Sequence, residues 1–335
     1  MPRWVEIKGE GNIVQRCRFS EKDPPSAGES GVLITIDFSD QDQRGRNTKI
    51  LHNKFLSYSE EEGHLGNGFE TIRVGTSNYQ DLPGNVLVEG NYFFKMNAET
   101  EVVSIKTSFN MVKSNAFDEV AGSVTFRHGK NNVLDGNVFM GGLAKDTTGV
   151  RIFDENHIMS NNWFSNLRKG AILVNAGDGE STSGHKRAGN ITIQGNTLQD
   201  CEDGLSLDAG YSIPPVRPIL LRGNKMSNSE DPMIDYALKA APEVFDFSEA
   251  SHQRYYNPAF ATVFRVTISM GQALAGLKTS KYPLASTTAW GRKILELRDL
   301  TACCRSSVTL DQVGRLVVEQ RVKTNIYSFT ADYLG

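Results

Sequence analysis

Four charged residues in a short central segment have the types and spacing needed to act on an acidic ligand. Glu99 and Glu101 stand two apart, Lys106 follows, and Arg127 opens an Arg-His-Gly sequence 21 residues after that lysine. Carboxylate oxygens suit hard cations such as Ca²⁺, whereas lysine and arginine bind anions. Because the formal net charge is only -3, a polyanion site has to come from local clustering of basic residues. This segment is such a cluster.

The charged segment lies inside a repeat of the form Asn-x-Phe. Full copies occupy residues 53–55, 91–93, 115–117, 137–139 and 162–164, and degenerate copies occupy 196–198 and 224–226. The irregular spacing fits one short coil with loops of varying length inserted, and no helical or heptad period matches it. Successive coils of such a repeat stack, so residues distant in sequence become neighbours along one face. We therefore expect Lys106 and Arg127 to lie one coil apart.

Short runs rich in Val, Ile and Leu come before the motif in most coils. They cover residues 47–51, 85–88, 110–112, 132–134, 191–193 and 219–221. Runs of this length next to turn-forming residues predict strands. The asparagine suits a tight bend, because it tolerates the left-handed backbone region and its amide can bond along the stack. With the following Phe, Leu or Met pointing inward, the pattern predicts an all-β, right-handed parallel β-helix, the handedness following the general rule for parallel crossovers.

Strand geometry places a condition on a shared site. Glu99 and Glu101 would share one face of an unbroken strand, and Lys106, at the opposite parity, would face the other way. A common site therefore requires a corner or a bulge between Glu101 and Lys106.

Composition agrees with a globular protein. The chain has 335 residues, of which 39% are apolar and 22% charged, enough for one large solenoid or two domains. The cysteines form neither a metal-ligand spacing nor a disulfide framework: Cys17, Cys201, Cys303 and Cys304. No apolar run is long enough for a membrane span, and the first residues do not lead into a signal-peptide core. The abrupt start in repeat material suggests that coils, and with them an export signal, once preceded it.

The repeat predicts a β-helix domain over residues 1–245 and leaves 246–335 as an unassigned C-terminal extension. The motif stops after residue 226, and near residue 250 the composition turns to Ala, Arg, Leu and Glu in mixed patterns. Gly291–Leu300 and Leu310–Val322 are candidate amphipathic helices. A helical cap, a small appended domain and a poorly folded tail are all open interpretations.

Three blocks, at residues 99–108, 122–129 and 149–152, together resemble the core of polysaccharide lyase family 6. They read Glu-x-Glu-x-x-Ser-Ile-Lys-Thr-Ser, Gly-Ser-Val-Thr-Phe-Arg-His-Gly and Gly-Val-Arg-Ile. That family contains alginate lyases and chondroitinase B. The similarity spans roughly residues 1–245, and agreement in both spacing and residue type makes the combination specific, whereas Arg-His-Gly alone would be weak.

The resemblance implies a parallel β-helix that cleaves an acidic polysaccharide by β-elimination with Ca²⁺ at the site. Lys106 matches the Brønsted base of the family and Arg127 its Brønsted acid. His128, which adjoins the acid, and Arg151 match positions that contact substrate. The implied partner is the polysaccharide, not nucleic acid or a membrane, and the implied location is secreted or periplasmic. The oligomeric state is open.

The implied calcium ligands are Glu99, Glu101 and an asparagine on the preceding coil. Asn67 is the best match for that asparagine, and Asn91 is the competing choice. Of two further basic residues in the repeat, His157 and Arg73 are better explained as structural.

The chemistry explains why these types are needed together. Elimination in a uronate chain removes the proton on C5, beside the carboxylate, and expels the glycosidic oxygen on C4. A cation on the carboxylate stabilises the enolate-like state. Lysine acts as a base only after losing its own proton, which nearby positive charges favour. Guanidinium hardly deprotonates, so Arg127 can stabilise the leaving oxygen while water or a sugar hydroxyl supplies the proton.

Alternatives remain at this stage. Alginate is the preferred substrate and dermatan sulfate the second choice. A hydrolase would need paired acids on one face, and only Glu99 with Glu101 approaches that. A binding-only β-helix is the third class. If Lys106 is the base, Lys106→Ala is expected to abolish turnover and to leave the fold largely intact.

Overall fold

The computed structural model describes residues 3–22, 30–58, 67–178, 184–207 and 219–227, together with short strands at 245–246, 254–256, 306–310, 315–322 and 325–332. Within these ranges nearly all regular structure is β, and the helical part is one 3-10 turn, Ser77–Tyr79. None of the helical structure in these ranges has the length and apolar character of a membrane span.

The strands form eight coils of three strands each. The first four coils comprise β1 (Val5–Ile7), β2 (Ile13–Gln15), β3 (Arg18–Lys22); β4 (Ile34–Ile36), β5 (Lys49–Leu51), β6 (Lys54–Tyr58); β7 (Ile72–Val74), β8 (Leu87–Glu89), β9 (Tyr92–Met96); and β10 (Glu101–Ile105), β11 (Met111–Lys113), β12 (Ala116–Asp118). The next four comprise β13 (Ser123–Phe126), β14 (Val133–Asp135), β15 (Val138–Met140); β16 (Val150–Ile152), β17 (Ile158–Ser160), β18 (Trp163–Ser165); β19 (Ile172–Val174), β20 (Thr192–Gln194), β21 (Thr197–Gln199); and β22 (Leu205–Leu207), β23 (Ile219–Arg222), β24 (Lys225–Ser227).

Three parallel sheets run along the stack, because each strand pairs with its counterparts in the neighbouring coils. Sheet A contains the first strand of every coil, sheet B the second and sheet C the third. Two further strands, β25 (Phe245–Asp246) and β26 (Arg254–Tyr256), continue sheets B and C in parallel. The prediction of a parallel β-helix is confirmed.

A ladder of buried asparagines closes the corner between sheets B and C. In each coil from the second to the seventh, the amide of the motif asparagine donates to the side-chain oxygen of the next one at 2.9–3.0 Å. The ladder contains Asn53, Asn91, Asn115, Asn137, Asn162, Asn196 and Asn224. The predicted bonding along the stack is therefore correct. The predicted left-handed backbone is displaced by one residue: the positive φ belongs to the residue before each ladder asparagine, such as His52 and Ser114.

From Asn53 to Asn196, the residue two after each ladder asparagine points into the core, as predicted. Six phenylalanines form one continuous stack with ring centroids 4.6–5.0 Å apart: Phe19, Phe55, Phe93, Phe117, Phe139 and Phe164. Leu198 takes the same place in the seventh coil and is fully buried. Each aromatic pair adds about 0.5–1.5 kcal/mol beyond area burial, so this stack fixes the register of the coils.

Contacts divide the chain into two compact units, residues 1–264 and 265–335. In the second unit β27 (Ser306–Leu310), β28 (Arg315–Val322) and β29 (Asn325–Asp332) form an antiparallel sheet in that order. The helix predicted over Leu310–Val322 is therefore wrong, since most of that range is a strand rich in β-branched valine. The candidate helix Gly291–Leu300 lies outside the described residues. The domain boundary at residue 245 stays a prediction.

Candidate active site

A β-bulge turns Glu101 to the outer face of sheet A. The register of β10 with β13 shifts between Glu101 and Val103, and Val102 and Val103 both belong to the hydrophobic core. Two consecutive inward residues reverse the parity of the strand, so Glu101 comes to the same side as Ser104, whose hydroxyl donates to its carboxylate. The irregularity that a shared site requires is therefore present between Glu101 and Lys106.

Lys106 and Arg127 start from equivalent positions on adjacent coils. The core-facing residues just before them, Ile105 and Phe126, are register partners in sheet A. The backbone N–H of Arg127 donates to the carbonyl of Ile105 at 2.9 Å. Both side chains therefore leave the coil just after a strand of sheet A.

Two ion pairs link these basic groups to buried carboxylates. Lys106 Nζ lies 3.1 Å from Glu70 Oε1, and Arg127 Nη1 lies 2.9 Å from Glu101 Oε1. The Glu70 side chain is 1% exposed, and its second oxygen makes no hydrogen bond although Arg73 Nη1 stands 3.9 Å from it. Acidic and basic groups therefore lie together in one cluster that is buried except at its two arginines.

The pairing of Lys106 with Glu70 changes what is expected of the variant Lys106→Ala. Removing one member of a buried ion pair leaves its partner uncompensated, which commonly costs about 3–5 kcal/mol. Lys106 lies outside the hydrophobic core, but its loss would strand a buried carboxylate. We therefore expect this variant to lose stability as well as activity.

Glu99 joins the same cluster from the turn before β10. Its Oε2 accepts the backbone N–H of Gly68 at 2.8 Å and of Phe69 at 3.2 Å. Burial raises the pKa of Glu99; the N–H of Phe69 opposes this, and the negative charges of Glu70 and Glu101 raise the pKa further. The carboxylates of Glu70, Glu99 and Glu101 therefore repel one another at this point of the β-helix.

The segment predicted to supply a third metal ligand touches Glu99 through its backbone. The side chain of Asn67 is exposed, and it is the next residue, Gly68, that bonds Glu99. Asn91, the competing choice, is a rung of the ladder: its amide donates to Asn115 and to the carbonyl of Ile50, and its oxygen accepts from Asn53. Both ends of that amide are used in the stack, so Asn91 is structural.

The donor chemistry of the cluster suits a hard cation. Calcium prefers carboxylate and amide oxygens, Glu70 has one buried oxygen without a hydrogen bond, and a cation would relieve the repulsion around Glu99. As positioned, the oxygens of Glu99 and Glu101 bond to protein donors. Across the part of the chain that the structure describes, no three His, Cys, Asp or Glu side chains meet in a metal-holding arrangement.

The two residues predicted to contact substrate lie on coils five and six. His128 is 1% exposed, with an Nδ1 that makes no hydrogen bond. Burial lowers its pKa to about 3, and the charges of His185, Arg127 and Lys106 act in the same direction. Arg151 places its guanidinium 5.5 Å from the centre of the Phe153 ring.

Two glycines of the recognised blocks are required by close approach. A Cβ on Gly122 would lie 2.5 Å from the carbonyl oxygen of Glu99 and 2.9 Å from the backbone nitrogen of Val102. Gly129 has a φ of +84°, and a Cβ on it would lie 2.4 Å from the backbone of Thr107. Gly129 therefore allows two coils to pack closely, and Gly122 allows the fifth coil to pack closely against the bulge.

Sequence reasoning missed Glu70 and His185. A signal for Glu70 existed: residues 70–74, Glu-Thr-Ile-Arg-Val, align without a gap on 101–105, Glu-Val-Val-Ser-Ile, and the two segments are partners in sheet A. His185 follows a loop insertion between β19 and β20 and carries no repeat signal. His157 and Arg73 were predicted to be structural, and the role of His157 in a hydrogen-bonded ladder bears this out.

The sequence was compared with protein-family models and with curated proteins. The family model of Chondroitinase B matches residues 1–234. A search of curated proteins found no match.

Among solved structures, one similar chain is a mannuronic acid specific polysaccharide family 6 lyase from human gut microbiota, with a TM-score of 0.63 and 25% identity over 76% of this chain. A PL6 alginate lyase in complex with a trisaccharide has a TM-score of 0.53 and 20% identity over 76% of this chain. The PL6 family polysaccharide lyase Pedsa3628 from Pseudopedobacter saltans has a TM-score of 0.56 and 16% identity over 77%. The last two comparisons show the fold alone. This chain spans 61%, 57% and 66% of the lengths of these three chains.

Proposed function

Because the chain belongs to the chondroitinase B family, we propose that it is a polysaccharide lyase that cleaves uronate-containing polysaccharide by β-elimination. The observation that carries the proposal is the position of Lys106 and Arg127 on adjacent coils, joined by ion pairs to the carboxylates of Glu70 and Glu101. A hydrolase would need two carboxyl groups, one acting as acid and the other as base. In this cluster the carboxylates of Glu70 and Glu101 are instead paired with the amine of Lys106 and the guanidinium of Arg127.

In the proposed reaction Lys106, which forms an ion pair with Glu70 at rest, first releases its ammonium proton to water and then takes the proton on C5 of the uronate. The electron pair of that C–H bond forms the C4–C5 double bond, and the C4–O bond breaks. Arg127 stabilises the negative charge on the departing oxygen, which takes its proton from water or a sugar hydroxyl because a guanidinium does not give one up. Glu70 holds the lysine in place, and Glu101 holds the arginine.

We also propose that Ca²⁺ assists this reaction, with Glu99 and Glu101 as ligands and Asn67 as the predicted third. The support is the donor chemistry: three mutually repelling carboxylates, one of which has an oxygen without a hydrogen bond. When bound, the cation would neutralise the substrate carboxylate and so acidify the C5 proton.

Alginate is the proposed substrate, because the relative of known structure at 25% identity is described as mannuronic acid specific. The name of the matching family favours dermatan sulfate as the second candidate. A secreted or periplasmic location is likewise proposed, because the family resemblance implies it.

The test compares the wild type with Lys106→Arg on alginate and on dermatan sulfate. Arginine keeps the charge and the ion pair with Glu70 but cannot act as a base, so the fold and polymer binding are retained while turnover is lost. The readouts are ultraviolet absorbance of the unsaturated product, reducing ends, and thermal unfolding.

Absorbance with only one polymer identifies the substrate. New reducing ends without absorbance would indicate hydrolysis, and neither signal would indicate a binding protein. Full activity of Lys106→Arg would remove Lys106 from the role of base.

A further inference from the structure

His185 is the outermost ring of an aromatic cluster beside Arg127. It stacks on His128 with centroids 5.1 Å apart and planes 5° apart, and on Phe153 with centroids 4.6 Å apart. His128 and Phe153 are 1% and 5% exposed, whereas the side chain of His185 is 24% exposed. His185 is therefore the histidine of this cluster that meets solvent.

Asp178 fixes the orientation of that ring. His185 Nδ1 lies 2.8 Å from Asp178 Oδ2, the backbone N–H of His185 donates to the other carboxylate oxygen, and the backbone N–H of Asp178 donates to the carbonyl of His185 at 2.9 Å. A carboxylate only accepts hydrogen bonds, so Nδ1 carries a proton. Among the described residues the opposite nitrogen, Nε2, makes no hydrogen bond, so it can bind a ligand.

The cluster adjoins the catalytic candidates. His128 follows Arg127 directly in the chain, and the charges of Arg127 and Lys106 both act on its imidazole. Phe153 supports His185 and, through a cation–π contact at 5.5 Å, also Arg151. Arg151 and His185 therefore share one aromatic support.

We propose that His185 joins Arg151, whose contact with substrate the family resemblance already implies, in a subsite for the acidic sugar beside the cleaved bond, and that His185, not His128, makes the histidine contact with substrate. This inference rests on the proposed function. A guanidinium matches a carboxylate through two parallel hydrogen bonds, and the free imidazole nitrogen can bond a sugar hydroxyl. His128, for which the family resemblance implied a substrate contact, is then a positioning residue that supports the ring of His185.

The test uses His185→Ala and His185→Phe, with His52→Ala as the matched control. Phenylalanine keeps the stacking on His128 and Phe153 but lacks the nitrogen. His52 is an exposed histidine at the corner between sheets B and C, away from the outer face of sheet A. We measure kcat and KM with alginate and with dermatan sulfate, and equilibrium binding of the same polymers to Lys106→Arg proteins that carry each change.

We expect both His185 variants to raise KM and the dissociation constant about tenfold, which corresponds to one lost hydrogen bond of about 1.4 kcal/mol. We expect kcat to stay within about twofold, and His52→Ala to behave as the wild type. Unchanged binding in both His185 variants would overturn the proposal. So would normal binding by His185→Phe alone, because the ring would then act only by packing.

The experiment distinguishes failure of the proposed lyase activity from failure of the proposed subsite. If the wild type makes no unsaturated product but polymer binding weakens in both His185 variants, the subsite stands and the lyase activity does not. If the wild type and His52→Ala are active and the His185 variants bind normally, the lyase stands and the subsite is refuted.

Discussion

Replacing His157 by asparagine should remove a measurable part of the acid sensitivity of the fold. His157 occupies the third rung of a ladder at the corner between sheets A and B, after Asn110 and Asn132. Its Nδ1 accepts the backbone N–H of Asn132 at 3.1 Å, and its Nε2 lies 2.8 Å from the carbonyl of Phe153. Since Nδ1 accepts, Nε2 carries the proton and the ring is neutral. Asparagine at this rung would repeat the arrangement of the two coils before it.

The size of the effect follows from the burial of the ring. Burial lowers the pKa of His157 to about 4, with the charge of Lys130 in the same direction and the carbonyl of Phe153 opposing. The ordinary value is about 6.5. Below that pH the unfolded chain takes up a proton that the folded protein does not, so stability falls as the pH drops, down to about pH 4. At about pH 5 the pH lies about 1.5 units below the pKa of the unfolded chain, so through His157 the free energy of unfolding is about 2 kcal/mol lower than at neutral pH.

The measurement is urea unfolding of the wild type and of His157→Asn at about pH 7 and about pH 5. At the higher pH the variant should lose about 1 kcal/mol, from the bond to Phe153 and the packing on Phe126. On acidification the wild type should lose about 2 kcal/mol more than the variant. His128 and the carboxylates titrate in both proteins and cancel in the difference. Equal losses in the two proteins would refute the burial argument.

Three further outcomes are expected. Glu70→Ala should lower kcat about tenfold with KM within about twofold, because Lys106 loses a charged hydrogen bond that holds it in place. Glu89→Gln, in a partly exposed ion pair on sheet B, is the control, and an unchanged kcat would refute the anchoring role. A chelator should suppress activity and calcium should restore it, and calorimetry should show calcium binding that Glu101→Gln weakens; indifference to both treatments would end the metal proposal. Asn137→Ala should cost at least about 2 kcal/mol in urea unfolding, because buried partners on both neighbouring coils lose their bonds; a loss below about 1 kcal/mol would mean that the ladder relaxes.

The repeat could be recognised in the sequence because the same side-chain contacts between neighbouring coils recur along the stack. The asparagine of the motif needs partners above and below it, and the phenylalanine needs a ring on each side, so the asparagine recurs from the second coil to the eighth and the phenylalanine from the first to the sixth. The error over the left-handed residue has a physical origin. The bend needs one positive φ, and the residue before the asparagine takes it, leaving the asparagine free to point its amide along the axis. Glycine, histidine, serine and asparagine all serve at that position, which hides the signal.

The parts that sequence could not supply depend on loops and on long-range pairing. His185 reaches the site through an insertion whose length follows no repeat, so spacing says nothing about its place. Glu70 is 36 residues from Lys106, and only the coil-to-coil register makes them neighbours. The β28 strand was mistaken for a helix because its apolar residues fit either period. The choice between helix and strand for these residues is made by antiparallel pairing with β27 and β29, which the local sequence pattern does not reveal.

The bulge in β10 explains how a structural repeat can also hold a reactive site. In a regular coil Glu101 would occupy a core-facing position, where an unpaired carboxylate is costly. Inserting Val102 turns that carboxylate outward, towards Ser104 and Arg127. The extra residue also brings the chain so close to the next coil that only glycine fits at position 122. The acidic pair, the bulge and the glycine therefore depend on one another, since each requires the backbone geometry that the other two impose.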